Sequence, residues 1–130
     1  DWVVRDVVNF IVNATDFSVE LIAADKSVLP YDEDTMTLRT READAFLGQL
    51  KFEANCASCH ESDGRAFNFA EGDGEEEYVG TIANDNPWEL ANKILHGQPG
   101  STPTMPTAAG KFYDFDDIAD IIDYAQQLPK

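Results

Sequence analysis

The chain has 130 residues, enough for one compact domain plus an extension, and its 43% hydrophobic content is that of a globular rather than a disordered sequence. Its 25 acidic residues against 9 basic ones leave a formal net charge of −16, which repels phosphates and excludes nucleic acid and an anionic membrane as partners. The charge suits steering toward a basic docking patch on another protein, and it suits plain solubility equally well.

In residues 1–14, Val3, Val4, Val7, Val8 and Ile11 recur at helical spacing with Arg5, Asp6, Asn9 and Asn13 between them. This predicts a helix despite the β-branching. The apolar run from Val7 to Val12 is broken by Asn9 and is far too short to span a bilayer, so no membrane insertion by this segment is expected. Phe17 to Ile22 alternate and Lys26 to Leu29 form a second short run, so Ala23-Ala24-Asp25 is expected to turn a small hairpin that Pro30 ends. Tyr31 to Asp34 read as an acidic, exposed linker.

Thr40 is the expected N-cap of a helix that runs to about Ala54, with Glu42 in its first turn. Phe46, Leu47 and Leu50 form one apolar face of that helix. Gly48, Phe52 and Cys56 form a stripe at a spacing of four. A glycine inside a helix costs about 1 kcal/mol relative to alanine, and close approach of another helix is the expected reason for Gly48.

The helix leads into Cys56-Ala57-Ser58-Cys59-His60. This is C-x-x-C-H, the attachment signature of a c-type haem. Two thiols at this spacing can each add to a haem vinyl group, and the adjacent His60 can offer a neutral imidazole nitrogen to the iron. Both cysteines of the chain are used here. A zinc site would have only His96 and acids as further ligands. A thioredoxin-like dithiol belongs at a strand-to-helix junction, whereas this motif follows a helical pattern.

Residues 61–86 read as irregular, with turn signals at Asp63-Gly64 and Gly72-Asp73-Gly74 and a solvated acidic run at Glu75, Glu76 and Glu77. Arg65 has two candidate partners, a haem propionate and a surface acid. Asn86-Pro87-Trp88-Glu89 starts a helix: Asn86 caps, Pro87 takes the first position and Glu89 completes a capping box. Leu90, Ala91 and Ile94 are expected inside, and Gly97 stops the helix. His96, in the last turn, reads as a histidine favoured at a helix C-terminus, with haem ligation as the rival. Trp88 either packs on the haem edge and gives its indole N–H to a propionate or packs in the core.

Thr102 and Met105 each precede a proline and are pushed toward extended backbone. A stiffened segment suits a ligand held at a fixed distance from an iron, so Met105 reads as the second axial ligand through its thioether, against the plainer role of filling a core gap. Met36 is the rival methionine, and its acidic flanks make it the poorer candidate. A last helix is expected from about Phe115 to Leu128, capped by Asp114 and stopped by Pro129. Ile118, Ile121, Ile122, Ala125 and Leu128 lie on one face.

Taken in order, these features resemble a class I c-type cytochrome over about residues 40–130. The resemblance rests on a helix with Gly48 and Phe52 ahead of Cys56-x-x-Cys59-His60, a middle helix, Met105-Pro106, and a terminal helix with Tyr124. It implies an all-α cytochrome c fold, three to four helices around one haem. The first and last helices would cross at Gly48, Phe52 and Tyr124, and His60 and Met105 would be the metal ligands. Cys56, Cys59, Arg65 and Trp88 complete the expected cofactor-binding set. Residues 1–39 are then an N-terminal helix and hairpin extension. Asp6-Val7-Val8-Asn9-Phe10 echoes Asp120-Ile121-Ile122-Asp123-Tyr124, so residues 1–14 are expected to be the closing helix of a preceding cytochrome domain in a longer chain.

The expected activity is single-electron transfer by one covalent haem c, with weak docking to redox partner proteins that carry a basic patch. No catalytic residue is assigned. Covalent haem attachment takes place outside the cytoplasm, so an exported or periplasmic location is expected, although no signal sequence opens the chain. The rival readings are the haem domain of an oxidoreductase, a peroxidase or small-gas reductase, and a gas or redox sensor from which Met105 departs.

Overall fold

The computed structural model describes residues 21–107 and 113–130. The helix expected over residues 1–14 and the alternating positions before Leu21 lie outside the described residues. The helices are α1 (Ala45–Asn55), α2 (Ala57–His60), α3 (Val79–Asp85), α4 (Pro87–His96) and α5 (Phe115–Ala125). Among the described residues, β pairing is limited to two isolated antiparallel bridges, Ile22 with Val28 and Gln98 with Met105. The fold is all-α.

The expected hairpin turn is present. Leu29 N–H donates to the Leu21 carbonyl at 2.8 Å, Ala23 N–H donates to the Ser27 carbonyl at 2.9 Å, and Lys26 takes the left-handed position at φ 71°. Leu21 and Ile22 enter the main core beside Ala91, Ile94, Ile118 and Ile122. Residues 21–39 therefore share their core with α4 and α5.

α1 begins four residues later than the sequence suggests. Its cap is Asp44, whose carboxylate accepts from the Phe46 and Leu47 amides. Thr40 instead gives its N–H at 2.9 Å and its hydroxyl at 2.5 Å to Asp116 on α5. A buried carboxylate must be supplied with donors, and Thr40 serves that need. Glu42 likewise precedes the helix, and accepts from Tyr31 N–H at 2.8 Å.

The crossing of α1 with α5 fixes the molecule. A Cβ on Gly48 would sit 1.9 Å from the Asp120 carbonyl oxygen and 2.9 Å from Tyr124 Cβ, so only glycine admits this approach. Phe52 and Tyr124 meet with ring centroids 5.6 Å apart. Beside the contact, Asp120 is wholly buried, and Arg41 grips it with two bonds of 2.9 and 2.7 Å. Lys51 bridges Asp120 at 2.6 Å and Asp117 at 2.8 Å. Phe46 and Leu50 face outward, so the apolar face read from periodicity is not the buried one.

A second apolar cluster joins Phe52, Val79, Ala83, Ala125 and Leu128. It contains α3, which lies in the stretch expected to be irregular. α3 is held from a distance: a Cβ on Gly80 would sit 2.4 Å from the Pro129 carbonyl oxygen. The turns expected at Gly64 and Gly72 are present, at φ 72° and 64°. α4 follows expectation, with Asn86 accepting from Glu89 N–H, Pro87 in the first turn and Gly97 ending it at φ 69°. α5 is capped by Asp114 as expected but ends at Ala125, and Leu128 closes a turn onto Ala125 at 3.2 Å.

Candidate functional site

The C-x-x-C-H motif folds as the single turn that continues α1. Cys56 N–H donates to the Phe52 carbonyl at 2.7 Å, and Cys59 and His60 N–H both donate to the Cys56 carbonyl, at 3.1 and 2.9 Å. Neither cysteine is in a disulfide: Cys56 is half-buried against the Phe52 cluster, and Cys59 is exposed. Glu61, at φ 62°, then turns the chain out of the helix.

His60 is half-buried, and its Nδ1 is enclosed without a hydrogen-bond partner. Burial pushes its pKa down, favouring the neutral ring that binds metals. Phe67 stands edge-on to the imidazole at 5.6 Å and Phe69 lies 6.2 Å away. Sequence reasoning misses these two rings because they sit in a stretch without periodicity. The pattern Phe-x-Phe shortly after the histidine is the available signal.

Met105 is half-buried on a loop tied back to the end of α4. Gln98 N–H donates to the Met105 carbonyl at 3.1 Å, and Met105 N–H donates to Ser101 Oγ at 3.4 Å. Gly97 makes this possible, since a Cβ there would lie 2.3 Å from the Met105 carbonyl oxygen. The Thr102–Pro103 peptide within the loop is cis.

Arg65 lies over the Tyr78 ring at 4.5 Å, with its guanidinium 3.9 Å from the Glu76 carboxylate. Trp88 is half-buried against the core cluster of α4 and α5. His96 ends α4, where burial pushes its pKa down. One further contact has no signal in the sequence: Tyr113 accepts from Asn55, the residue before Cys56. Burial, and then the neighbouring Cys56 and Asp117, raise the Tyr113 pKa.

These residues fit a covalent haem. Two thiols share one turn, the imidazole that follows is biased to its neutral form with an unpartnered ring nitrogen, and the adjoining phenylalanines keep 37% and 38% of their surface exposed. A flat apolar macrocycle is the kind of group that covers such rings. No group of three or more histidines, cysteines and acids among the described residues is arranged to hold a bare metal ion.

An all-helical fold with this motif at the end of the first described helix defines a c-type haem protein. The family model for cytochrome c matches residues 46–129, more than half of the chain, and the chain belongs to that family. It therefore carries covalently bound haem c with its iron, and haem-based electron transfer is its general activity. Comparison with curated proteins and with solved structures finds no match. No helix among the described residues is long and apolar enough to cross a membrane.

Proposed function

We propose that this chain is a single-electron carrier with its haem held by Cys56 and Cys59, its iron ligated by His60 and Met105, and transient docking to basic redox proteins. The observation that carries the reading is the C-x-x-C-H turn at the end of α1, within the stretch that matches the cytochrome c family. The haem supplies an iron that accepts and releases one electron. The protein's part is positional. The turn that continues α1 presents the thiols, the crossing at Gly48 holds α1 against α5, and the Phe67 and Phe69 rings shield His60 from water. The bridge from Gln98 and the clearance at Gly97 fix the backbone of Met105, and a soft sulfur ligand favours the ferrous state and raises the potential.

Arg65 and Trp88 are the chain's own candidates for the propionates, and residues 40–130 form the haem domain. An exported location goes with the reading, because haem is attached covalently outside the cytoplasm. The test is the absorption spectrum of the dithionite-reduced protein before and after carbon monoxide. Sharp low-spin bands untouched by carbon monoxide are expected. A large shift of the main band means an available distal position and replaces the carrier with a sensor or enzyme.

A further inference from the structure

α1 cannot turn about its axis. Gly48 is locked against the Asp120 carbonyl and Phe52 against Tyr124, so the opposite side of the helix is committed to the outside. Phe46 and Leu50 stand there, one turn apart, 65% and 49% exposed, the two most exposed large hydrophobic side chains among the described residues. The charges nearby are sorted. The bases Arg41 and Lys51 are turned toward α5, spent on Asp120 and Asp117. The acids Glu42 and Glu53 remain exposed, while Asp44 is spent on the helix cap. The outer side of α1 is thus an apolar centre with an acidic edge. It is also close to the haem attachment turn: Leu50 is six residues before Cys56, about 9 Å along a helix.

We propose that the outward face of α1, centred on Phe46 and Leu50 and edged by Glu42 and Glu53, is the seat of a basic redox protein. The proposal rests on the electron-carrier reading above. An apolar centre gives a transient complex its contact energy, and an edge of one sign gives it rate and orientation. With a chain of net charge −16, a second copy is repelled, whereas a partner with lysines around an apolar spot is drawn in. The electron then enters or leaves at the attachment turn that follows α1.

The test uses the isotope-labelled holoprotein, titrated at low salt with a lysine-rich cytochrome c as the basic surrogate, while amide shifts are read. Shifts are expected to centre on residues 42–54 and to disappear at high salt. The double substitution Phe46→Ser with Leu50→Ser is expected to weaken binding about tenfold. Shifts centred on residues 67–77, or none at all, overturn the proposal. So do contacts in the free protein between the Phe46 ring or Leu50 methyls and residues 1–20, which would mean the chain covers its own face. Concentration-dependent shifts of the same amides without the surrogate overturn it in favour of a second copy. Reduction by dithionite and reoxidation by ferricyanide, with no protein partner, tests the carrier reading by itself. A chain that docks at 42–54 without cycling fails the carrier reading alone, and one that cycles but docks elsewhere fails this proposal alone.

Discussion

Gly48 is legible from the sequence because a glycine inside a helix is an anomaly with few physical causes, and a close helix crossing is the commonest. The structure gives that cause at atomic distance, and it sets the cost of change. Gly48→Val must displace the Asp120 carbonyl, which now would lie 1.9 Å from a Cβ. A loss of roughly 3 kcal/mol or more in unfolding free energy is expected, measured by urea titration of the holoprotein. A variant of unchanged midpoint would mean that the crossing is looser than this. Met105→Ala tests a different link. It should leave the haem covalently attached in a denaturing gel while letting carbon monoxide bind the reduced protein. Gly97→Val should mimic it in part, because a side chain there strikes the Met105 carbonyl and pushes the loop away. Unchanged ligation in Met105→Ala would remove that residue from the iron. Thr40, in contrast, misleads for a clear reason. Local sequence makes it a good helix cap, but its competing acceptor, Asp116, is 76 residues away along the chain.

At the scale of elements, local chemistry and remote contact divide what can be read. α4 is legible because its start signal, Asn86-Pro87 with Glu89, acts within one turn. α3 is not, because Thr81, Asn84 and Asp85 are weak helix formers and its support comes from Gly80 resting on Leu128 and Pro129. The periodicity of α1 is legible, but periodicity does not say which side is pinned. The α1–α5 pair also carries a pH dependence of its own. Burial alone would raise the pKa of Asp120, but the hydrogen bonds from Arg41 and Lys51 outweigh it and hold the carboxyl below its ordinary 3.8. Asp117 behaves alike, with burial outweighed by Lys51 and Asp114. A lowered folded pKa means stability that is present above the ordinary value and lost as pH falls through the folded one. Asp123 has the opposite sign: burial, then the charges of Asp120 and Asp44, push it up. Its carboxylate therefore weakens the fold at neutral pH, and the penalty is relieved as pH falls. Urea midpoints should rise slightly from pH 7 toward the raised Asp123 value and then fall steeply below about pH 4. Asp123→Asn should stabilise at pH 7 and lose that advantage in acid. Asp120→Asn should cost about 2–4 kcal/mol, because it strands Arg41 and Lys51 beside a group that no longer carries charge. Equal stabilities of these two variants at pH 7 would refute the assignment of opposite signs.

Across the whole molecule, the leading electrostatic feature is the net charge. A net −16 over 130 residues opposes compaction, and added salt screens it. The thermal midpoint is expected to rise with sodium chloride from low salt to about the physiological range, where the screening length is near 8 Å. A midpoint that falls instead would mean that the Arg41 and Lys51 pairs outweigh the general repulsion. The haem motif is readable as one short pattern, and the fold class follows from the family resemblance that this motif carries together with Gly48, Phe52, Met105 and Tyr124. How the early segment joins the core is not readable. Leu21 is fully buried against α5 residues, and Gln126 reaches back to the Lys26 carbonyl at 2.6 Å and to the Ala83 carbonyl at 3.0 Å.

The contact that joins α1 to α5 joins the first and last of the described helices, and the exposed acidic loop at residues 71–77 lies between them in the sequence. The loop is closed at its base, where Phe69 N–H donates to the Glu77 carbonyl at 2.7 Å. Limited digestion with a glutamate-specific protease should therefore cut the polypeptide without dismantling it. One half would keep the thiols and the other Met105, and they would migrate as two bands when denatured yet as one coloured species when native. In that sense the molecule is a ring closed by packing, in which continuity of the backbone through the acidic loop is dispensable once folding is complete.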